Sequence, residues 1–289
     1  MRAAAAALGL FFAVAGQAAA APAMWVARDA DSEIYLFGTM HLLKANAAWR
    51  TPAYDRAYAR AQAVWFEADI DAMDAASVAE LVARYGVDPD RKLSQKLSPR
   101  ELAALKPLLA RGRTPIERLD RMRPWAAALM LSTQPMLAKG RTVEQGADAV
   151  VTRQARAAVK PVRTFETLED QVRMFAGLPE PVELRYLSDV IRERSGRGPR
   201  RRGGSLEAAW IAGDLARLGP GLVGAMQTDS PEFYDALLRR RNLAWADALE
   251  TAMAGQGVEL VNVGALHMVG PDGLPALLAG RGFTVERVQ

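Results

Sequence analysis

Both histidines of the chain, His41 and His267, follow a glycine by three residues, in the sequences GTMH and GALH. With 23 glycines among 289 residues, this coincidence has a chance of roughly one in 150. Each motif follows an apolar run, EIYLF or ELVNV, that predicts a buried strand. We therefore expect both histidines just past strand ends, where Gly38 and Gly264 would permit positive φ or close approach of the backbone to a ligand.

Glu67 in WFEAD and Glu166 in TFET are the acidic residues expected to lie beside the histidines. Each comes late in or just after a predicted strand, and ligands of open α/β sheets bind outside the carboxyl ends of the strands. Two neutral imidazoles with one or two carboxylates predict a site for a divalent metal such as Zn, Mn, Co or Fe. The position left open could hold a water that becomes a hydroxide nucleophile near neutral pH.

Two other interpretations of this pattern stay open. Buried histidines at strand ends often only donate to a carbonyl, and Glu67 could pair with an arginine. Alternatively, the histidines could act as general bases without a metal. The repetition of the motif favours a functional site, but it does not choose between metal binding and general-base catalysis.

The alternation of predicted elements indicates an α/β fold, with α+β as the alternative. The segments AMWVAR and EIYLFG predict a hairpin, TPAYDRAYARAQ a helix that leads into a strand in AVWFEADI, and residues 161–167 a short strand. We expect a central mixed, largely parallel sheet with a large helical cover, and two GxxH half-sites that meet at its carboxyl edge. Residues 24–289 would form a single domain with a helical insertion at about 74–160.

The N-terminal residues 1–23 predict a secretory signal peptide, with an arginine, a short apolar stretch and a small-residue end. The absence of cysteine argues against both disulfides and a lipid anchor. We therefore expect a periplasmic or secreted bacterial protein that is not an integral membrane protein after cleavage. The formal charge of +4 comes partly from an arginine cluster at residues 191–204, typical of a solvated loop. Nucleic acid is not an expected partner of an exported chain, and the sequence does not indicate the oligomeric state.

The chain resembles the TraB/PrgY/GumN family in the content and order of several segments. These segments are FGTMHLL, WFEADID, RPWAAAL, GADAVV, FETLEDQ, AAWIAGD, RRRNLAWADAL and VNVGALHMVGPDGLPALLAGRGFTVE. The resemblance runs from about Trp25 to Val288, and its most specific part is the paired GxxH frame. The family includes the Tiki metalloproteases of animals, and it resembles the erythromycin esterase (EreA) and ChaN-like fold group.

The resemblance implies roles for the residues that match the family's motifs. In the Tiki proteases the two GxxH motifs and a glutamate are held to be essential, with Mn or Co as the metal. By this resemblance His41 and His267 are metal ligands and Glu67 is the acidic member of the site.

Four further residues match family positions: Glu166, Asp148, Arg241 and Asn242. Asp148 could ligate the metal, cap a helix or pair with an arginine. Arg241 lies on a predicted helix near the last strand, where its guanidinium could hold a carboxylate or stabilise an oxyanion. Two of the three consecutive arginines must face elsewhere, so a surface role stays open for each of them.

The function that follows is an exported metal-dependent hydrolase, acting on a peptide or small-molecule substrate by cleaving a peptide or amide bond. Glu67 or Glu166 would serve as general base to a metal-activated water, with Arg241 and Asn242 as further catalytic residues. The alternatives are a non-catalytic periplasmic protein that binds a ligand or peptide, and an accessory factor in envelope polysaccharide assembly. A family resemblance indicates a site more firmly than a substrate.

Overall fold

A computed structural model describes residues 20–69, 75–197 and 205–289 of the chain. The predicted signal peptide therefore lies almost entirely outside the described residues, as does part of the arginine cluster, residues 198–204. Within the described ranges, no helix combines the length and the apolar character needed to cross a membrane.

Six strands form one sheet in the described part of the chain. They are β1 (Met24–Arg28), β2 (Ser32–Thr39), β3 (Ala63–Phe66), β4 (Val162–Thr164), β5 (Gly257–Gly264) and β6 (Thr284–Arg287). Their order across the sheet is β4-β3-β5-β2-β1-β6. The pairs β4–β3, β3–β5 and β5–β2 are parallel, whereas β1 runs antiparallel to both β2 and β6.

Helices occupy most of the remaining described chain. They are α1 (Pro52–Arg60), α2 (Ala75–Tyr85), α3 (Leu93–Lys96), α4 (Pro99–Arg111), α5 (Ile116–Asp120), α6 (Pro124–Leu137), α7 (Ala147–Ala157), α8 (Leu168–Ala176), α9 (Glu180–Arg194), α10 (Leu206–Ile211), α11 (Leu215–Leu218), α12 (Ala225–Asp229), α13 (Pro231–Tyr234), α14 (Arg240–Met253) and α15 (Leu274–Gly280). Two π-helical segments, Gly219–Gly224 and Asp235–Arg239, and a 3₁₀ turn, Ala265–Met268, complete them. The fold is α/β with a mixed, largely parallel sheet, and this prediction is confirmed.

Alternating side chains of the strands bury both faces of the sheet. On β2, Tyr35 and Phe37 pack with residues of α1 and α7, whereas Ile34 and Leu36 pack with residues of α14 and α15. Each fully buried side chain of this size contributes roughly 1.5–3 kcal/mol to the stability of the fold. A sheet covered on both faces explains why its strands have continuous apolar runs in the sequence.

Helices α3 to α6 share a separate apolar core with α9. At the start of α4, Ser98 Oγ accepts from the Glu101 backbone N–H, and the Glu101 carboxylate accepts from the Ser98 backbone N–H, which makes a capping box. The helices from α2 to α7 cover Ala75–Ala157, the stretch where the sequence predicts an insertion. That these residues belong to one domain with the sheet stays a prediction.

The strand expected at residues 161–167 is shorter in the structure, where β4 ends at Thr164. Hydrogen bonds to β3 nevertheless continue, from Phe165 N to Phe66 O and from Glu166 N to Glu67 O. The chain then turns into α8, whose N-cap Thr167 accepts from the Asp170 backbone. This continuation places Glu166 beside Glu67.

Of the two reasons expected for a glycine at these positions, close approach applies to Gly38 and Gly264, and neither has a positive φ. A Cβ on Gly38 would lie 2.8 Å from Ala265 Cα, so β2 could not approach the turn that carries His267. A Cβ on Gly264 would lie 3.0 Å from Glu67 Oε1 and 3.5 Å from His41 Nε2. The missing side chain at Gly38 thus leaves space for the Ala265 backbone. At Gly264 it leaves space for the side chains of Glu67 and His41.

Replacement of Gly38 by alanine is expected to lower the free energy of unfolding by about 1–3 kcal/mol, because the new methyl group meets backbone. The measurement is urea unfolding of the variant and the native protein. The matched control is Gly280→Ala at the end of α15, where a Cβ would meet no atom within 4 Å. The control should change stability by less than about 1 kcal/mol. Equal effects of the two substitutions would contradict the close-approach explanation.

Candidate active site

The carboxyl ends of four parallel strands bring the predicted site residues together. In the register of the sheet, Thr39 of β2 lies opposite Gly264 of β5, and Phe66 of β3 lies opposite Asn262 of β5. Because the strand order is β4-β3-β5-β2, the residues that follow the strands line up along one edge. Their order along that edge is Glu166, Glu67, His267 and His41.

The N-terminus of α7 positions His41. Ala147 N donates to Met40 O at 3.0 Å, and Gly146 lies so close that a Cβ there would be 2.4 Å from His41 O. Asp148, in the first turn of α7, then reaches His41, with 2.9 Å between Asp148 Oδ2 and His41 Nδ1. Asp148 therefore pairs with the histidine, not with an arginine, and turns the Nε2 atom of His41 away from α7.

Asn242 of α14 positions His267 and selects its tautomer. The Asn242 side-chain amide donates to Asp272 O at 2.6 Å, so its Oδ1 atom must face His267 Nδ1, which lies 2.5 Å away. Nδ1 therefore carries the proton and donates, which leaves a lone pair on Nε2. The imidazole is also held against Trp245, with 4.4 Å between the ring centroids.

Glu67 lies between the two imidazoles. Its Oε1 atom accepts from Gly264 N at 2.6 Å and lies 3.7 Å from the Nε2 atoms of both His41 and His267. Its Oε2 atom accepts from Arg241 Nη2 at 2.8 Å and from Gln171 Nε2 at 3.1 Å. One carboxylate oxygen thus faces both imidazoles, and the other is held by amide and guanidinium donors.

Arg241 is the buried cation of the site. Its guanidinium binds Glu166 through Nε and Nη2, each at 2.8 Å, and its Nη1 atom donates to His267 Nε2 at 3.1 Å. Glu166 also accepts from Trp245 Nε1 at 3.1 Å. The neighbouring arginines 239 and 240 pair instead with Asp235. Of the three consecutive arginines, only Arg241 enters the site.

The protonation states of the histidines differ because their partners differ. Asp148 raises the pKa of His41 to about 9, whereas burial, aided by Arg241 and His41, lowers the pKa of His267 to about 3. Burial alone would raise the pKa of Glu67, but the Arg241 guanidinium, the cationic His41 and the backbone N–H of Gly264 outweigh it and hold this pKa well below its usual value. At neutral pH the site therefore holds a cationic His41, a neutral His267 and an ionised Glu67.

Gln171 is a residue of the site that the sequence reasoning missed. It lies on α8, four residues after the cap Thr167, and donates to Glu67 Oε2. Its place in FETLEDQ, just after the strand that carries Glu166, was the available signal. Trp210 also contributes, because its Nε1 atom donates to Gly38 O at 2.7 Å and so fixes the end of β2.

His41, His267 and Glu67 are the residues that could hold a divalent metal. Both Nδ1 atoms are engaged by oxygen atoms, the arrangement by which proteins orient histidine ligands, and both Nε2 atoms face the same carboxylate oxygen. Within the described residues, however, no group of three or more His, Cys, Asp or Glu is arranged to enclose a metal as it stands. The Arg241 guanidinium currently uses the lone pair of His267 Nε2 that a metal would need.

The sequence of the chain matches one known protein family. The sequence profile of the TraB/PrgY/gumN family matches residues 23–287. The chain belongs to this family. It is 25% identical over 257 residues to an uncharacterized protein, YbaP, of Escherichia coli, a match that covers 89% of this chain and 92% of that protein. The YbaP protein of Shigella flexneri matches with the same identity and coverage.

No solved structure matches the chain significantly. The likeness to the erythromycin esterase and ChaN-like group therefore stays a prediction. The residue roles inferred from the resemblance also stay predictions, although the structure brings all of these side chains to one site.

NMR of metal-free protein with labelled histidine tests the assigned protonation states, since only two histidine signals exist. We expect His41 to titrate near pH 9 and His267 to stay neutral as the Nδ1–H tautomer over about pH 5 to 10. Asp148→Asn should move the pKa of His41 down towards its ordinary value of 6.5. The control Asp189→Asn, on α9, should leave it near 9. An unchanged pKa of His41 in Asp148→Asn would contradict the assignment.

The native protein and Asp148→Asn should also differ in the pH dependence of their stability. Because the folded-state pKa of His41 is raised, its proton stabilises the fold fully below the unfolded pKa of about 6.5. That stabilisation is lost as the pH rises through about 9. The difference in unfolding free energy between the native protein and Asp148→Asn should therefore shrink over this interval in metal-free buffer.

Proposed function

We propose that this family member is an exported metal-dependent hydrolase that cleaves a peptide or amide bond. The observation that carries the proposal is the convergence of His41 Nε2 and His267 Nε2 on one oxygen of Glu67, each at 3.7 Å. Export is supported by the signal-peptide pattern of residues 1–23. The metal would be Mn or Co by family resemblance, with Zn or Fe as alternatives allowed by the donor set.

In this proposal His41, His267 and Glu67 Oε1 hold the metal. The metal would supply a water that loses its proton near neutral pH and an electrophile for the substrate carbonyl. His41 must lose its own proton to become a ligand, so binding of the metal should strengthen as the pH rises towards about 9.

Of the two carboxylates, Glu67 is the one that faces both imidazoles. Both oxygens of Glu166 are occupied by Arg241 and Trp245, so Glu166 acts as the anchor of Arg241. The Oε2 atom of Glu67 is held by Arg241 and Gln171 on the side away from the imidazoles. We assign Glu67 as the carboxylate of the proposed metal centre and Glu166 as a positioning residue that holds Arg241.

Arg241 is the group placed to stabilise negative charge on a substrate. Its Nη1 atom donates to His267 Nε2 in the present arrangement, and that donor becomes free when His267 serves as a ligand. Its bonds to Glu166 would keep the guanidinium in place. A freed donor in a buried site is suited to an oxyanion that develops during amide cleavage.

Metal analysis with peptide cleavage tests the proposal. Protein stripped with chelator and reloaded with Mn, Co, Zn or Fe should retain about one metal ion per chain, and His41→Ala and His267→Ala should each lose at least about tenfold in affinity. Glu67→Gln should abolish cleavage of a quenched peptide library. The matched control is Glu183→Gln, a buried glutamate paired with Arg123 outside the site, which should retain metal and turnover.

Two outcomes would count against the proposal. Peptide cleavage that survives complete removal of metal would exclude the metal-dependent mechanism, although the protein would still be a hydrolase. Metal retained equally by native protein and His267→Ala would place the metal elsewhere.

A further inference from the structure

Two cavities meet at the candidate active site. One, of about 460 Å³, is bounded by His267 and Arg241, and the other, of about 410 Å³, is bounded by Asp148. His41 and Glu67 line both. A substrate whose reacting bond lies at Glu67 would therefore have free space on two sides of that bond.

The walls of both cavities are apolar. Leucine and methionine side chains dominate the first, together with Phe175 and Trp210, and the second is lined by Phe66, Leu137 and Val143. Among the lining residues in the described part of the chain, every charged or imidazole side chain belongs to the candidate site. They are His41, Glu67, Asp148, Arg241 and His267.

Exposed apolar side chains concentrate at the same place. Seven large apolar residues are exposed within the described ranges, and four of them line these cavities: Leu129, Leu137, Val143 and Leu206. Exposed apolar surface that is grouped around a cleft is typical of a binding site. This grouping is independent of the polar residues, and it indicates what the cavities bind.

We propose that the substrate is an apolar peptide segment, cleaved internally, with a large apolar side chain on each side of the scissile bond. This inference rests on the proposed function for the cleavage itself. The C–N bond breaks, the carbonyl carbon gains the hydroxyl of water, and the nitrogen takes up the proton. On the described walls of the two cavities, the only charged groups are those of the candidate site. The walls therefore offer no separate partner for a free amino or carboxyl terminus, and we infer that both ends of the substrate lie outside the cavities.

End-blocked peptides provide the first test. One peptide carries Leu-Phe at its centre, and a second of equal length carries Asp-Asp there, both with a fluorescent label for anisotropy and a quenched version for turnover. The Leu-Phe peptide should bind at least about tenfold more tightly and be cleaved between these two residues. Removing the end blocks should change its affinity by less than about twofold, because distant exposed charges contribute little.

Wall variants provide the second test, with a matched control. Leu206→Glu and Leu137→Glu should each weaken binding of the Leu-Phe peptide by about tenfold or more. The control is Val78→Glu, a residue of similar exposure to Leu206, 36% against 40%, that lines neither cavity. It should leave binding unchanged, and thermal melts will show whether all three variants fold.

The outcomes separate this inference from the proposed function. Tight binding of the Leu-Phe peptide without cleavage under any metal supports the apolar site and overturns the hydrolase. Equal cleavage of both peptides supports the hydrolase and overturns the inference, and so does equal binding in the native protein and both wall variants. Failure of the native protein to bind the Leu-Phe peptide overturns the inference as well.

Discussion

The candidate site depends on the buried ion cluster in which the Arg241 guanidinium joins Glu67 to Glu166. The side chains of Arg241, Glu67 and Glu166 are only 10%, 11% and 15% exposed. Charges so far from water are tolerated only when each has its partners, and removal of one partner from a buried pair costs about 3–5 kcal/mol. This cluster ties the ends of β3 and β4 to α14. The same helix also supplies Asn242, which fixes His267.

The parallel register of the sheet is the second constraint, and it acts through the two glycines. Neighbouring strands β2 and β5 end at the same level of the sheet. The two GxxH turns that follow them are therefore separated only by the distance between adjacent strands. Gly38 lets the Ala265 backbone approach, and Gly264 leaves the space in which Glu67 meets both imidazoles. The glycine of the GxxH pattern therefore serves a different physical purpose at each copy.

The sequence predicts the local parts of this site because they lie in regular patterns. The apolar runs indicate the strands, and the residues after them, Glu67 among others, are then expected at the carboxyl edge. Patterns of this kind do not encode contacts between distant segments. The pairing of Asp148 with His41 spans 107 residues, and only the packing of α7 against the chain after β2 reveals it.

The choice of one arginine among three could not be predicted for a similar reason. Arg239, Arg240 and Arg241 have the same chemistry, and the exact winding of the helix decides which one faces inward. A π-helical segment that ends at Arg239 precedes α14, so ordinary helical periodicity does not carry through this point. The position of Gln171 just after the strand that carries Glu166 indicates that it lies near the site, but its contact with Glu67 depends on packing that the sequence does not show.

Anomalous diffraction from crystals soaked in Mn or Co would locate the proposed metal ion. His41, His267 and Glu67 would form one metal centre, and Arg241 would release His267 Nε2 while it stays bound to Glu166. We expect an anomalous peak about 2.0–2.3 Å from both Nε2 atoms and Glu67 Oε1, with the Arg241–His267 hydrogen bond broken. A peak elsewhere, or no peak with Arg241 still bound to His267 Nε2, would contradict it.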